Sequence, residues 1–569
     1  MLFRNSKIWS GSDLKVGSLL LNALNMKKIH LLFAGFIIAL SVSAQRDTTK
    51  TQAIDITSSF KPVLRNAVKI NFYGSQLQAD TSRPALNYSI PAQNLFYAYQ
   101  PIALRPLALA QDTNLYLGGR NFVKAGFGTY STPFLAAGFS LGDGKKSLVN
   151  IYADYIGSKG KDIEFQDYSM LNVKAAGSVF TPKNEIYATA ALSRRDYNLY
   201  GYDHAIYNYD KKDIRQQLQD ITIAGGVRNI VSNELGIQYN PSAQVNFFTN
   251  KDKLNETTIS LHLPVQKKIG ESLTAMAAFK GEFANYSTQN FNPDNIKLTN
   301  NLIQVSPGIE YTTKLVKLHA GLTPVWNNGD FEWLPDIYAE AQLQEKVFML
   351  QAGWVGRYIQ NTYRNLTAQN PYLLPITTYN NTKEVEYYGG LKASLGKHFN
   401  FSAKAGLVRY TDLPLFINDT ASDEKGFLVS NERNINNFRI HGDLSYINQD
   451  KFTVTAGLTL NGYTGMKDND KAWHTIPMEF TSSMRWWAFE RFLLKADLYF
   501  FNGGKYLGKA NSSNALSGGT DLSAGAEYKI NKQFSAWMNV NNILNDKYER
   551  WHNYQVYGLN LTAGILIHF

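Results

Sequence analysis

The chain has 569 residues, a formal net charge of +11 and no cysteine, which excludes disulfides, zinc–thiolate centres, cysteine nucleophiles and a lipid anchor on an N-terminal cysteine. Aromatic residues make up 13%, led by 34 Tyr and 32 Phe, with 42 Gly but only 17 Pro; this suits many exposed strands and tight turns better than helices. Five of the 57 Lys/Arg and one of the 46 Asp/Glu lie in residues 1–44, leaving 52 against 45, a surplus of +7 over the other 525 residues, and no basic cluster or stripe of the kind nucleic acid requires stands out.

Taken in chain order, residues 1–25 read as an upstream start-site extension. Residues 26–44 read as a secretory signal peptide: Met26-Lys27-Lys28 is a basic start, Leu31 to Val42 an apolar run too short to span a bilayer, and Ser43-Ala44-Gln45 a small-residue cleavage site. Residues 45–119 are interrupted by proline and spotted with apolar residues. They include Phe60-Lys61-Pro62 and the aromatic run Phe96-Tyr97-Ala98-Tyr99-Gln100-Pro101, and read as an extended periplasmic or lumen-filling segment. Phe60, Lys61, Pro62, Tyr97 and Tyr99 are its candidate lumen or partner residues.

From about residue 120 to Phe569 one device repeats: about ten residues of apolar/polar alternation, then a turn or loop. Val149, Ile151, Ala153 and Tyr155 share one face while Asn150, Tyr152 and Asp154 share the other. The same holds for Phe452 to Leu460 and for Leu522 to Ile530. Period two is the strand period, and one apolar face means a half-buried sheet. Ten short connections, from Gly142–Lys145 to Ile530–Gln533, alternate with mostly longer ones such as 197–217, 361–382, 411–433 and 502–518. Short periplasmic turns with long outer loops are the layout of a transmembrane antiparallel β-barrel. Ten turns separate eleven hairpins, giving an all-β fold of about 22 strands, within roughly 20 to 24. Since no sheet edge survives in hydrocarbon, the first strand, near Phe122 to Tyr130, must pair with the last. Trp486, Trp487, Phe489 and Phe492 fit an interfacial aromatic girdle.

The last strand sets Leu559, Leu561, Ala563, Ile565, Ile567 and Phe569 on one face, with Leu566 an exception on the other. An aromatic C-terminus inside a strand resembles the signal read by the outer-membrane insertion machinery, here Tyr557, Leu559, Leu561, Ile565, Ile567 and Phe569. Just before it, Asn541-Asn542-Ile543-Leu544-Asn545-Asp546-Lys547-Tyr548 resembles the N-x-L/F-N-x-x-Y segment preceding the final strand of TonB-dependent receptors. The resemblance covers residues 120–569 and agrees with the strand number. Residues 45–119 are shorter than that family's plug and carry no Arg-Gly motif of its type, so the likeness is to plug-less, Bacteroidetes-type barrels, and coupling to TonB is left open.

The resemblance implies a Gram-negative outer-membrane location, contact with membrane lipid, and solute uptake or channel function with a reduced plug. The alternative is a non-transporting scaffold of an outer-membrane complex, with a periplasmic or lipoprotein partner. No nucleic-acid partner, cofactor, metal or catalytic residue is expected: the nine His form no metal-binding pair and no nucleophile or P-loop motif occurs. His319 and His568 are expected to be solvated lumen residues, and Lys467-Asp468-Asn469-Asp470 a solvated loop. The 197–217 loop carries a candidate ligand set, Arg195, Tyr197, Tyr200, Tyr202, Tyr207 and Tyr209. Wet, sheet-like outer loops are also Tyr-rich, and that plainer explanation is preferred for this loop and for the one holding Asn370 to Pro375. Three candidates remain for closing so wide a lumen: residues 45–119, the long loops, or another protein.

Overall fold

The computed structural model describes residues 121–569, apart from 232, 290–294, 345–347, 397 and 449–450. The signal peptide, residues 45–119 and the candidates Phe60, Lys61, Pro62, Tyr97 and Tyr99 lie outside the described residues. Twenty-two antiparallel strands form the wall. In chain order they begin β1 (Asn121–Gly128), β2 (Thr132–Gly142), β3 (Ser147–Ser158), β4 (Tyr168–Phe180), β5 (Asn184–Asn198) and β6 (Arg215–Asn229). Next come β7 (Ile237–Tyr239 with Ser242–Asn250), β8 (Leu254–Ile269), β9 (Leu273–Thr288), β10 (Ile296–Thr312), β11 (Val316–Asn327) and β12 (Asp330–Gln344). Then follow β13 (Phe348–Ile359), β14 (Thr382–Leu395), β15 (Phe399–Thr411), β16 (Ile435–Asn448) and β17 (Phe452–Thr464). The last five are β18 (Met478–Phe489), β19 (Phe492–Asn502), β20 (Gly519–Lys529), β21 (Phe534–Asn541) and β22 (Asn560–His568). The break in β7 falls at Asn240-Pro241, where proline has no N–H to give the ladder.

The barrel closes as the alternation requires. β1 pairs antiparallel with β22, from Phe122 opposite His568 to Gly128 opposite Thr562, so neither strand leaves an edge in lipid. At the seam Gly126 lies opposite Gly564. A Cβ on Gly126 would sit 2.4 Å from the Trp537 ring, and one on Gly564 would sit 1.9 Å from the Ala125 carbonyl oxygen; only glycine admits this approach. Leu566, the exception in the last strand, faces inward and is wholly buried with Phe122, Ala136 and Trp537.

Alternation sorts the two faces. Outward side chains such as Leu407, Ile565 and Ile223 are more than half exposed, as expected of groups whose solvent is lipid, whereas Asp154, Ser523 and Glu527 are buried on the lumenal side. Among the described residues no helix is long and apolar enough to cross a membrane; the strands do the crossing. All ten short connections fall at one end, with both ends of the wall. Of the eleven connections at the other end, 129–131, 251–253 and 328–329 are tight. Trp486 and Phe489 face outward near the turn end, and Trp326, Phe331 and Trp333 face outward near the loop end, which gives two aromatic girdles.

Candidate functional site

The loop end carries a folded roof. Tyr200 lies in the connection 199–214 between β5 and β6, Tyr372 in 360–381 between β13 and β14, and Tyr554 in 542–559 between β21 and β22. Around a ring of 22 strands these hairpins stand eight, eight and six strands apart, nearly thirds of the circumference. Strand spacing and tilt give the ring a backbone diameter of roughly 40 Å. Yet the Tyr372 and Tyr554 rings stack with centroids 3.3 Å apart, and Tyr200 lies 4.9 Å from Tyr554 and 6.3 Å from Tyr372. Three loops from three sides of the barrel therefore cross its mouth and meet. Reaching the axis takes about six extended residues in and six out, and loops of this length suffice.

Polar contacts fix the meeting point. Tyr200 donates to the Gln555 carbonyl (2.9 Å), Tyr363 to that of Leu373 (3.0 Å), and Tyr197 to that of Pro371. The 412–434 loop joins through backbone bonds, Leu374 N–H to Phe427 O (2.8 Å) and Phe427 N–H to Tyr372 O (3.0 Å). Loops 465–477 and 503–518 extend the layer through His474 N–H to Lys505 O (2.7 Å). His474 sits at this junction, 2% exposed, with Nδ1 against Phe416 O (2.8 Å) and rings of Phe427 and Trp551 around it. Burial first, then the nearby Arg550 and His552, push its pKa down to about 3, although the Phe416 bond opposes this.

One short helix pins the roof to the far wall. Tyr363–Gln369, in the loop after β13, has its N-terminus capped from outside the loop. Glu256 of β8 accepts from the Tyr363 N–H (2.6 Å) and the Arg364 N–H (3.0 Å), while Thr362 Oγ1 accepts from Asn365 N–H (3.1 Å). Free N–H groups at a helix start favour such a carboxylate. Arg364 then reaches Asp220 of β6 at 2.6 Å.

Below the loops, the lumenal face of β13–β16 holds a buried charge ladder. Arg439 donates to Glu384 (3.2 Å), Glu386 (3.0 Å) and the Tyr410 hydroxyl (3.2 Å). Arg357 also holds Glu384 (2.7 Å), and Lys404 holds Glu386 (2.7 Å) while lying 3.8 Å over the Tyr388 ring. Each carboxylate is thus shared by two cations, the arrangement a buried ion network needs.

The structure corrects several expectations. Tyr197, Tyr200 and Tyr202 are not wet loop residues but part of one buried core, with Tyr207 and Tyr209 packed against it. Their rings supply the apolar area on which long loops can fold. Arg195 lies on β5, opposite Met170 and Leu218 in the register, two residues of that same core. His319 is not solvated: it is 5% exposed, stacks on Tyr338 and contacts Asp336 at 3.0 Å. His568 is half-buried. The Lys467–Asp470 segment turns its amides inward, donating from Lys467 (2.8 Å), Asp468 (3.0 Å) and Asn469 (2.8 Å) to the buried Glu432. Burial alone would raise the Glu432 carboxyl, but these donors hold it below its ordinary value. Of the terminal set, Leu559, Leu561, Ile565 and Phe569 are exposed on the outer face and Ile567 partly so. Tyr557 lies elsewhere, buried against Tyr168 with its hydroxyl on the Gln166 carbonyl (2.5 Å). Sequence reasoning missed Tyr554, Glu256 and Glu432, because no local pattern marks a residue whose partners lie more than thirty positions away.

No family model matches the chain, and no curated protein matches it. Solved structures do. The FrpB iron transporter from Neisseria meningitidis is 12% identical over 79% of this chain and 81% of its own, with a TM-score of 0.62. The ferric enterobactin receptor of Pseudomonas aeruginosa is 13% identical over 79% and 80%, at 0.59, and the copper transporter OprC 11% over 79% and 80%, also at 0.59. This chain therefore has the barrel fold of TonB-dependent receptors. A closed 22-strand barrel with an outward apolar band and two aromatic girdles belongs in a Gram-negative outer membrane.

Proposed function

We propose that this protein moves a solute across the outer membrane, with the loop roof as its extracellular gate and residues 45–119 as a reduced plug. The observation that carries the reading is the convergence of Tyr200, Tyr372 and Tyr554 from three sides of the barrel. A wall alone would leave a wide pore, and a roof built from loops gives the outer end a part that opens without disturbing the ladder. The roof is also packed in a way that suits movement. Buried polar atoms in it, among them His474 Nε2, Trp551 Nε1, Asn370 Nδ2 and Asn418 Oδ1, have no protein hydrogen-bond partner among the described residues. Each such group costs about 1–3 kcal/mol, so the closed state gives up part of what ring packing supplies. The likeness in fold to barrels described as iron and copper transporters supports the same reading. The role is non-catalytic.

Because the chain has no cysteine, the gate can be locked by one introduced pair. Leu373 and Phe427 are bridge partners between two roof loops. In the Leu373→Cys, Phe427→Cys variant, oxidation should lower conductance in planar bilayers and slow solute uptake, and reduction should restore both. Equal conductance in the two states would remove the gate from this account. The brevity of residues 45–119 favours a second reading, a scaffold subunit of an outer-membrane complex. A stoichiometric partner retained in mild detergent, together with no proton-gradient-dependent uptake, would support it instead.

A further inference from the structure

Of the surplus of +7, residues 45–120 hold eight Lys/Arg against four Asp/Glu, and the +3 left in residues 121–569 is placed unevenly between the two ends of the barrel. Among the described residues of the ten short turns, with two residues on either side of each, there are eleven Lys/Arg against five Asp/Glu. The connections at the opposite end, counted with the same flanks, carry eighteen against eighteen. Among the described residues, eight of the ten turns add one or two cations each, such as Lys146, Lys183, Lys268, Lys451, Arg491 and Lys532, all exposed. Their turns follow β2, β4, β8, β16, β18 and β20, so the charges are spread around the circumference as a ring.

We infer that this basic ring binds the headgroups of anionic phospholipids in the leaflet facing the periplasm. The neighbours of the cations decide for lipid over a soluble acidic partner. Large apolar side chains stay exposed right into the turns, with Leu315 at 63%, Leu343 at 63% and Phe489 at 74%. That exposure is comfortable only where acyl chains reach the turns. A lysine or arginine there keeps its stem in the apolar layer and its charge at the depth of the lipid phosphates. The roof, near neutral in total, has no such bias, so the two leaflets are met by different chemistry.

The test is lipid selectivity of the full-length protein reconstituted in phosphatidylcholine vesicles, read by spin-labelled phosphatidylglycerol against spin-labelled phosphatidylcholine. The wild type should prefer phosphatidylglycerol at least threefold, less so in high salt. A variant carrying K146Q, K183Q, K268Q, K451Q, R491Q and K532Q should fall to near one, while keeping the heat-modifiable gel migration of a folded barrel. A control with six roof lysines changed instead, K159Q, K211Q, K253Q, K471Q, K505Q and K509Q, should keep the preference. No preference in the wild type, or equal loss in both variants, would overturn the inference. So would salt-dependent capture of soluble polyglutamate by wild type without lipid selectivity, which would indicate an acidic protein partner.

Discussion

At the loop end, eighteen Lys/Arg stand against eighteen Asp/Glu and the tyrosines turn inward on one another; at the turn end cations outnumber acids eleven to five and the apolar groups turn outward. The two ends belong to the same strands, so the wall does not impose the difference. It follows from connection length. A turn of three or four residues has nowhere to go except along the rim, and its side chains meet lipid and headgroups. A loop of sixteen or more residues is long enough to reach the axis, where it must bury apolar surface against other loops or stay wet. The 199–214, 360–381 and 542–559 loops bury it. Length gives the roof freedom to fold, and aromatic rings make folding favourable.

The sharpest way to break this contrast is to remove the stack. Changing both Tyr372 and Tyr554 to Ala deletes two fully buried rings and should cost the closed roof about 3–5 kcal/mol. Conductance should rise at least tenfold, and the loops should become open to protease while the barrel keeps its heat-modifiable migration. A smaller effect is expected one layer down. Arg439→Met removes the cation shared by Glu384 and Glu386, but Arg357 and Lys404 still hold one carboxylate each. The loss should be about 2–3 kcal/mol, seen as a lower melting temperature in detergent with the roof's protease resistance little changed.

Closure of the roof should also depend on pH. His474 is held neutral, with a pKa near 3 in the closed roof against about 6.5 when released to water. The open state therefore takes up a proton first, and the closed roof loses stability as pH falls below 6.5. At pH 5 the open fraction should rise about thirtyfold over pH 7.5, measured as loop cleavage rate, and His474→Phe should flatten the dependence. Least of all should follow from Glu256→Gln, which weakens the external cap of the 363–369 helix by about 1 kcal/mol. Hydrogen exchange should speed up in that helix and leave the 412–434 loop unchanged.

The wall was legible in the sequence because its code is local. Alternation over ten residues names the two faces of a strand. A Gly-Asp-Gly-Lys or a Thr-Pro-Lys-Asn marks a turn, and an even number of such strands in lipid must close. The strand number, the ten short turns, the β1–β22 pairing and the outward face of Leu559 to Phe569 all follow from that period and from the cost of an unpaired backbone in hydrocarbon. Tertiary structure alone decided what happens at the two ends. Tyr200, Tyr372 and Tyr554 are about 180 residues apart in the chain, and the basic residues of the rim are scattered from Lys145 to Lys532. Only the closed ring brings hairpins eight strands apart to one axis, and only its alternating strand direction sends every short turn, and the cations most of them carry, to the same side.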